Sequence, residues 1–169
     1  TEPKISQIQR IAAGGVAPCF IIAEIGVNHN GKRSMARKLV DAAVKAGADA
    51  VKFQTFTAER VASAAAAKAA YQARTTGGGE SQLDMLRRLQ LPAEAFRALR
   101  DYCRQRGIVF LSTPFDEESV ELLEALDVPA FKVPSGEVTN LPLLARIGAK
   151  GKPVILSTGM STMEEVAAA

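Results

Sequence analysis

The stretch AVKFQTF at residues 50–56 decides the fold class of this chain and points to its site. Side chains on a strand alternate between its two faces, so Lys52 and Gln54 share one face while Val51 and Phe53 share the other. A lysine inside an apolar strand is costly unless an anion, a carbonyl substrate or a carboxylate lies close to it. The stretch therefore predicts a buried strand that ends at a binding site.

Four further stretches repeat this pattern of an apolar start and a polar C-terminal end. They are FIIAEIG (residues 20–26), VFLSTP (109–114), AFKVPSGE (130–137) and VILSTG (154–159). Amphipathic helical patterns separate them at residues 34–46, 92–107, 116–126 and 141–147, and Met35, Phe96 and Leu123 are expected core residues of these helices. This alternation of strands and helices predicts a parallel sheet with helices outside it.

Two architectures fit such a sheet, a doubly wound sheet and a (β/α)8 barrel. Polar residues at the C-terminal ends of several strands favour the barrel, because a barrel forms its active site where the βα loops converge. A whole barrel has eight units and about 250 residues, whereas this chain of 169 residues supplies five strands. We therefore expect an α/β fold that covers the first five βα units of a TIM barrel.

Two segments lie outside the repeating pattern. Residues 1–18 are predicted to be an N-terminal arm or short hairpin that covers the bottom of the barrel. Residues 57–91 form a long insertion after the second strand, with helical patterns at 61–70 and 81–89 and three consecutive glycines between them. Loops of this length are usually functional or disordered, so the insertion is either a lid over the site or a surface excursion.

Composition narrows the function classes. The chain is 47% hydrophobic and 23% charged, has no apolar run of membrane-spanning length and begins without a signal-peptide pattern, so we expect a cytoplasmic protein without membrane contact. Cys19 and Cys103 show no metal-ligand spacing and are expected to be reduced core residues. The net charge is +3, but lysines and arginines are scattered among acids with no basic stripe, which argues against nucleic-acid binding.

Six motifs in order along the chain resemble the sialic acid synthase (N-acetylneuraminate synthase) family. They are FIIAEIGVNHNG (residues 20–31), VKFQ (51–54), ESQLDML (80–86), STPFD (112–116), FKVPSGE (131–137) and ILSTGM (155–160). Each motif alone is a weak signal, but six in register from about residue 16 to the last residue are specific. The resemblance implies a (β/α)8 barrel that condenses phosphoenolpyruvate with an open-chain N-acetylated aldose to give a nonulosonic acid and phosphate.

The resemblance also implies features of the whole enzyme beyond these 169 residues. They are a divalent metal, manganese or magnesium, a C-terminal antifreeze-like domain and a homodimer. The family's metal-binding histidines lie on later strands, so no metal ligand is expected in this chain. By resemblance the chain is the phosphoenolpyruvate-binding half of the enzyme, with the later barrel strands and the antifreeze-like domain absent, and it is not expected to turn over alone.

Family roles can be assigned to matching positions of this sequence. Glu24 and Glu137 would be the acid/base carboxylates, and Lys52 would take part in catalysis as well as binding. Glu137 is the better candidate for handling water, because it follows directly on the phosphate-binding turn. Phosphoenolpyruvate would be held by Lys52, Thr113, Lys132, Ser135 and Ser157, and the acceptor sugar would be contacted by Gln54, Tyr71 and Thr75.

One departure from the family pattern leaves the acceptor open. Family members often carry an asparagine in the insertion at the position of Thr75, where it contacts the sugar, and a hydroxyl replaces that carboxamide here. Both N-acetylmannosamine and a 2,4-diacetamido-trideoxyhexose leading to legionaminic or pseudaminic acid are therefore candidate acceptors.

Each assignment has a structural alternative. Glu24 could pair with Lys52 or Lys132 only to neutralise a buried charge, and the strand-end hydroxyls could cap the following helices; these hydroxyls belong to Ser112, Thr113, Ser157 and Thr158. His29, the single histidine, is more typical of a hydrogen-bonded turn than of a ligand.

Two other function classes stay open. A class I aldolase would use Lys52 or Lys132 as a Schiff-base nucleophile. A non-catalytic half-barrel would instead self-associate through its open sheet edge.

Overall fold

A computed structural model of the chain describes residues 2–63 and 81–169, and it is an α/β structure in which every strand pair is parallel. The strands are β1 (Ile22–Gly26), β2 (Ala50–Thr55), β3 (Val109–Pro114), β4 (Phe131–Val133) and β5 (Val154–Leu156). The helices are α1 (Glu2–Ala12), α2 (Arg33–Lys45), α3 (Ala58–Val61), α4 (Gln82–Leu89), α5 (Ala93–Gln105), α6 (Glu117–Ala125), α7 (Leu141–Gly148) and α8 (Met163–Ala168), with a 3₁₀ turn at Ser135–Glu137.

The strands follow one another in space in the order in which they occur along the chain. β1, β2 and β3 are hydrogen-bonded in that order, β4 lies beside β3, and β5 pairs with β4. A doubly wound sheet would reverse its strand order part-way, whereas a barrel does not. The prediction of five consecutive βα units of a barrel is confirmed.

The main core lies between the sheet and the outer helices. Val51 and Phe53, on the outer face of β2, are fully buried among apolar residues of α2 and α5 such as Val40 and Phe96. Phe53 also stacks on Phe110 of β3, with their ring centroids 5.5 Å apart. This packing holds the outer face of β2 in place, so the opposite face of the same strand can carry polar side chains.

Of the two alternatives predicted for residues 1–18, an arm or a short hairpin, the hairpin is wrong, because Glu2–Ala12 is a helix. Ile5, Ile8 and Ile11 recur every third residue, which is a helical spacing and not the period of two that a hairpin needs. Ile8 is buried in a small second cluster with Ala50 of β2 and with Val109, Leu111 and Ala130. Helix α1 therefore packs against small and branched side chains of β2 and β3 and of the residue before β4.

Other details also differ from the sequence prediction. Met35 was expected in the core but is 38% exposed, because the buried stripe of α2 is formed by Ala36, Val40 and Ala43. Cys19 is exposed, whereas Cys103 is buried and burial raises the pKa of its thiol to about 12. The predicted helix at 81–89 is confirmed as α4, while the one at 61–70 lies outside the described residues beyond position 63.

We expect Ile8→Ala to lower the free energy of unfolding by about 2–4 kcal/mol, because it removes a buried side chain and leaves a cavity. Ile8 is 5% exposed, whereas Ile11 of the same helix is 46% exposed and serves as the matched control. Denaturant unfolding of both variants checks this. Equal losses for Ile8→Ala and Ile11→Ala would contradict the packing of α1 described above.

Candidate functional site

The candidate site begins with an ion pair between neighbouring strands. Glu24 of β1 and Lys52 of β2 are direct register partners, and Glu24 Oε2 lies 2.5 Å from Lys52 Nζ. The lysine side chain is 11% exposed and the carboxylate 53%. Lys52 Nζ also donates to Thr113 Oγ1 of β3 at 3.2 Å. Side chains of three adjacent strands therefore meet at one ammonium group.

Gly26 makes room for this arrangement. The register between β1 and β2 shifts between Glu24 and Gly26, and Gly26 has a φ of +53°, a left-handed conformation that favours glycine. A Cβ atom at this position would lie 3.0 Å from Glu24 Oε1 and 3.4 Å from Gln54 Nε2. Glu24 and Gln54 thus flank the same glycine. A glycine at the end of an apolar strand was the available signal for this bulge.

Lys132 of β4 adds a second cation. Its Nζ donates to the Val133 carbonyl oxygen at 2.7 Å. Burial, and to a smaller extent the positive charge of Lys52, lower the pKa of Lys132 to about 8, although the charge of Glu24 opposes both effects. Because Lys52 and Glu24 both act on this pKa, the three groups share one electrostatic environment. Two lysines and one carboxylate give it an excess positive charge that suits an anion.

Ser135, Glu137 and Ser157 lie at the C-terminal ends of β4 and β5. Ser157 extends the ladder by donating its N–H to the Val133 carbonyl at 3.0 Å, and the Ser135 carbonyl accepts from Ser161 Oγ at 3.3 Å. Glu137 Oε2 accepts from Asn140 Nδ2 at 2.7 Å. In the described part of the chain no hydrogen bond joins these groups to the lysines. The sequence reading missed Asn140 and Ser161, which are polar but follow no motif.

The strand-end hydroxyls of β3 do not cap the helix that follows. Ser112 Oγ is 2.7 Å from Thr55 Oγ1, and Thr113 bonds Lys52, so both hydroxyls join strands. Helix α6 is capped by Asp116 and helix α8 by Thr162. The capping alternative is therefore wrong for Ser112 and Thr113. The ion pair between Glu24 and Lys52 is present, as that alternative predicts. Its presence does not show whether Glu24 also takes part in catalysis.

His29 is a hydrogen-bonded residue of the turn after β1, as its structural alternative predicts. Its side chain is 1% exposed, its Nδ1 accepts from the Gly31 N–H at 3.1 Å, and its ring lies beside Phe53. Burial lowers the pKa of His29, which the Gly26 carbonyl partly opposes. A Cβ atom at Gly31 would overlap the Arg88 carbonyl oxygen, so α4 packs directly on this turn.

The described residues do not fit a metal site. Across residues 2–63 and 81–169 there is no group of three His, Cys, Asp or Glu side chains that could hold a metal ion. The same residues include no helix long and apolar enough to cross a membrane. Tyr71 and Thr75, predicted to contact the sugar, lie outside the described residues.

A comparison with protein families identifies the chain. A sequence model of the NeuB family matches residues 39–169. The chain belongs to the NeuB family. The family resemblance inferred from the six motifs is thereby confirmed, and so is the assignment of the fold to its barrel.

Family relatives agree with this assignment. The chain is 50% identical over 147 residues to an N,N'-diacetyllegionaminic acid synthase of Campylobacter jejuni, covering 87% of this chain and 44% of that protein. It is 38% identical to the N-acetylneuraminate-9-phosphate synthase of Homo sapiens, covering 89% and 42%. The crystal structure of an N-acetylneuraminic acid synthetase from Leptospira borgpetersenii in complex with citrate aligns with a TM-score of 0.76 at 28% identity, covering 91% and 49%. The chain thus spans less than half of each of these proteins.

We expect the free energy of unfolding to fall as the pH drops below about 6.5, the ordinary pKa of histidine. The folded state favours neutral His29, so its contribution to stability is complete above that pH and is lost as the pH falls toward the lowered folded pKa. Protonated Nδ1 could no longer accept from Gly31. Denaturant titrations from pH 7.5 to 5.5 should show a slope of at most about 1.4 kcal/mol per pH unit that His29→Gln abolishes. An unchanged slope in His29→Gln would contradict this.

Proposed function

We propose that this chain supplies the phosphoenolpyruvate-binding half of an enzyme that condenses phosphoenolpyruvate with an N-acetylated aldose. The products are a nonulosonic acid of the sialic acid type and phosphate. The observation that carries the proposal is the cluster of Glu24, Lys52, Thr113 and Lys132 on four adjacent strands. Glu24 and Lys52 start from the middle of β1 and β2, and Thr113 lies next to the C-terminal end of β3. The C-terminal edge of a parallel barrel is where barrel enzymes bind substrate.

Lys52 and Lys132 each have at least one N–H donor that is not used within the described residues and can bind an anionic substrate. An ammonium group has three N–H donors. Lys52 uses one toward Glu24 and one toward Thr113, and Lys132 uses one toward the Val133 carbonyl. Phosphoenolpyruvate carries a phosphate and a carboxylate, and charge-assisted hydrogen bonds to both suit this pair of cations. Thr113, Ser135 and Ser157 are proposed as further donors from β3, β4 and β5.

The proposed reaction needs proton transfers that the carboxylates can perform. A bond forms between C3 of phosphoenolpyruvate and the aldehyde carbon of the sugar, water adds at C2, and phosphate leaves with its bridging oxygen. Water that adds must lose a proton, and the aldehyde oxygen must gain one. We assign these tasks to Glu137 and Glu24, with water nearer Glu137 because it follows the turn at Ser135. Gln54 faces the acceptor sugar.

The whole protein is proposed to hold a divalent metal, manganese or magnesium, that polarises the aldehyde. The described residues offer no ligand set for it, so the steps assigned above involve only side chains of this chain. Homodimer formation and a cytoplasmic location likewise stay predictions for the whole protein.

The acceptor is proposed to be the 2,4-diacetamido aldose that leads to legionaminic acid. The support is that identity is higher to the relative named N,N'-diacetyllegionaminic acid synthase than to those named N-acetylneuraminate-9-phosphate synthase. N-acetylmannosamine is the competing acceptor, and comparing kcat/KM for the two sugars distinguishes them.

Replacing Lys52 by alanine in the protein at its natural length tests the proposal. We expect kcat/KM to fall at least about 30-fold, since a charge-assisted contact to phosphate or carboxylate is worth about 2 kcal/mol. The melting temperature should change little, because Glu24 is half exposed and tolerates the loss of its partner. The matched control is Lys152→Ala, which removes a lysine that pairs with Asp127 on the protein surface. Unfolding of the Lys52 variant, or kinetics equal to the control, would count against the proposed role.

A Schiff-base aldolase is the second candidate, and the lowered pKa of Lys132 favours it. A pKa of about 8 leaves part of the amine neutral near neutral pH, as an imine-forming lysine requires. We expect no covalent adduct when the protein is incubated with pyruvate and borohydride and measured by mass spectrometry. An adduct that disappears in Lys132→Arg would replace the synthase proposal by the aldolase.

A further inference from the structure

Asp116 is a buried carboxylate at the start of α6 that has no place in the chemistry proposed above. The residue is 7% exposed and follows β3 by two positions. Its Oδ1 accepts from the Ser119 N–H at 2.8 Å, and its Oδ2 accepts from Ser119 Oγ at 2.9 Å. These two bonds close the N-terminus of α6. A third bond, from the Thr57 N–H to Oδ2 at 2.8 Å, reaches the point where the chain leaves β2.

The backbone after β2 is held by side chains from distant parts of the chain. Thr57 is the N-cap of α3, yet its own side chain caps nothing. The first free N–H groups of a helix need acceptors. Here Asp116 accepts from the N–H of Thr57, and Gln90 Oε1 accepts from the N–H of Ala58 at 2.9 Å. The exit of β2 is therefore fixed against both α6 and the end of α4.

Gln54 lies three residues before Thr57, and its position depends more on the bond at Thr57 than the position of Lys52 does. Lys52 has its own anchors in Glu24 and Thr113. For the Gln54 side chain no hydrogen bond exists within the described parts of the chain, so its position depends on the backbone that carries it. The β2–β3 hydrogen bonds hold this backbone as far as Thr55, and the bond from the Thr57 N–H to Asp116 holds it just beyond the end of β2.

We propose that Asp116 is a positioning residue for the acceptor-sugar side of the site. By holding the Thr57 N–H, it fixes the end of β2 and with it the Gln54 amide, while the lysine cluster keeps its own geometry. This inference rests on the proposed function, in which Gln54 faces the sugar. Asp116 itself contacts no substrate.

Asp116→Asn is the variant that separates positioning from helix capping. Asparagine caps helices about as well as aspartate, so one oxygen can still accept from Ser119. The amide nitrogen can donate to Ser119 Oγ but cannot accept from the Thr57 N–H. Ser119→Ala is the matched control, because it removes only the hydroxyl contact and leaves the Thr57 bond. Amide hydrogen exchange at Thr57 and Ser119 shows which bond each variant has lost.

The test is steady-state kinetics of the protein at its natural length with each substrate varied. In Asp116→Asn we expect KM for the acceptor sugar to rise about tenfold, the scale of one lost hydrogen bond. KM for phosphoenolpyruvate and kcat should stay within about twofold. Exchange at Thr57 should accelerate while that at Ser119 does not. Ser119→Ala should leave all three constants within about twofold.

Several outcomes would overturn the inference. One is an unchanged acceptor KM in Asp116→Asn although Thr57 exchanges faster. Another is a parallel rise of both KM values with a lower melting temperature, which is what a purely structural role predicts. Fast exchange at Ser119 with slow exchange at Thr57 would show that the new amide in Asp116→Asn has its oxygen toward Thr57 and its nitrogen toward Ser119. A raised acceptor KM in that case would also refute the inference, because the Thr57 bond would still be present. Absence of turnover by the unchanged protein would instead refute the proposed function and remove the basis of the inference.

Discussion

The candidate site depends on the charge of Lys52 being held inside an otherwise apolar strand. An ammonium group in that position would be costly alone, and Glu24 on the neighbouring strand compensates it. The pairing needs β1 and β2 in one particular register, since a shift by one residue would turn Lys52 to the helix-covered face. Burial of Val51 and Phe53 on that opposite face fixes the register. The apolar core and the charged cluster are therefore two consequences of the same strand pairing.

A second constraint is that polar side chains join β2 and β3 in addition to apolar packing such as the edge-on contact between Phe56 and Phe115. Lys52 bonds Thr113 on one face of the sheet and Thr55 bonds Ser112 on the other. The Thr57 N–H bonds Asp116 beyond the ends of both strands, so β2 and β3 are joined in three places. Directional bonds of this kind specify positions more narrowly than apolar contacts do. A site that must recognise a small, highly charged molecule benefits from such narrow placement.

The sequence predicted those features of the fold that follow from the local periodicity of apolar residues. Alternation along residues 50–56 identified the strand and its buried lysine, and both are confirmed, while the face that the site occupies stays a prediction. Met35 was misplaced because Ala36 and Val40 fill the narrow space under α2, and a helical pattern does not say which apolar residue has room. Gly26 and Asp116 were missed as structural determinants, since their roles require knowing which strands are neighbours. The hairpin alternative for residues 1–18 is wrong because the isoleucines there recur every third residue, which is a helical spacing.

The lowered pKa of Lys132 indicates that the charge of this lysine is unfavourable in its folded surroundings. Burial and the charge of Lys52 both disfavour the protonated amine, and Glu24 compensates only in part. A lysine with a folded pKa below its ordinary value lowers folding stability near neutral pH, where the unfolded chain holds the proton more tightly. Binding of a phosphate or carboxylate would oppose this effect, because a negative charge favours the protonated form of Lys132. In the proposed function, the free energy that folding loses by burying Lys132 beside Lys52 would then be recovered in the affinity for an anionic substrate.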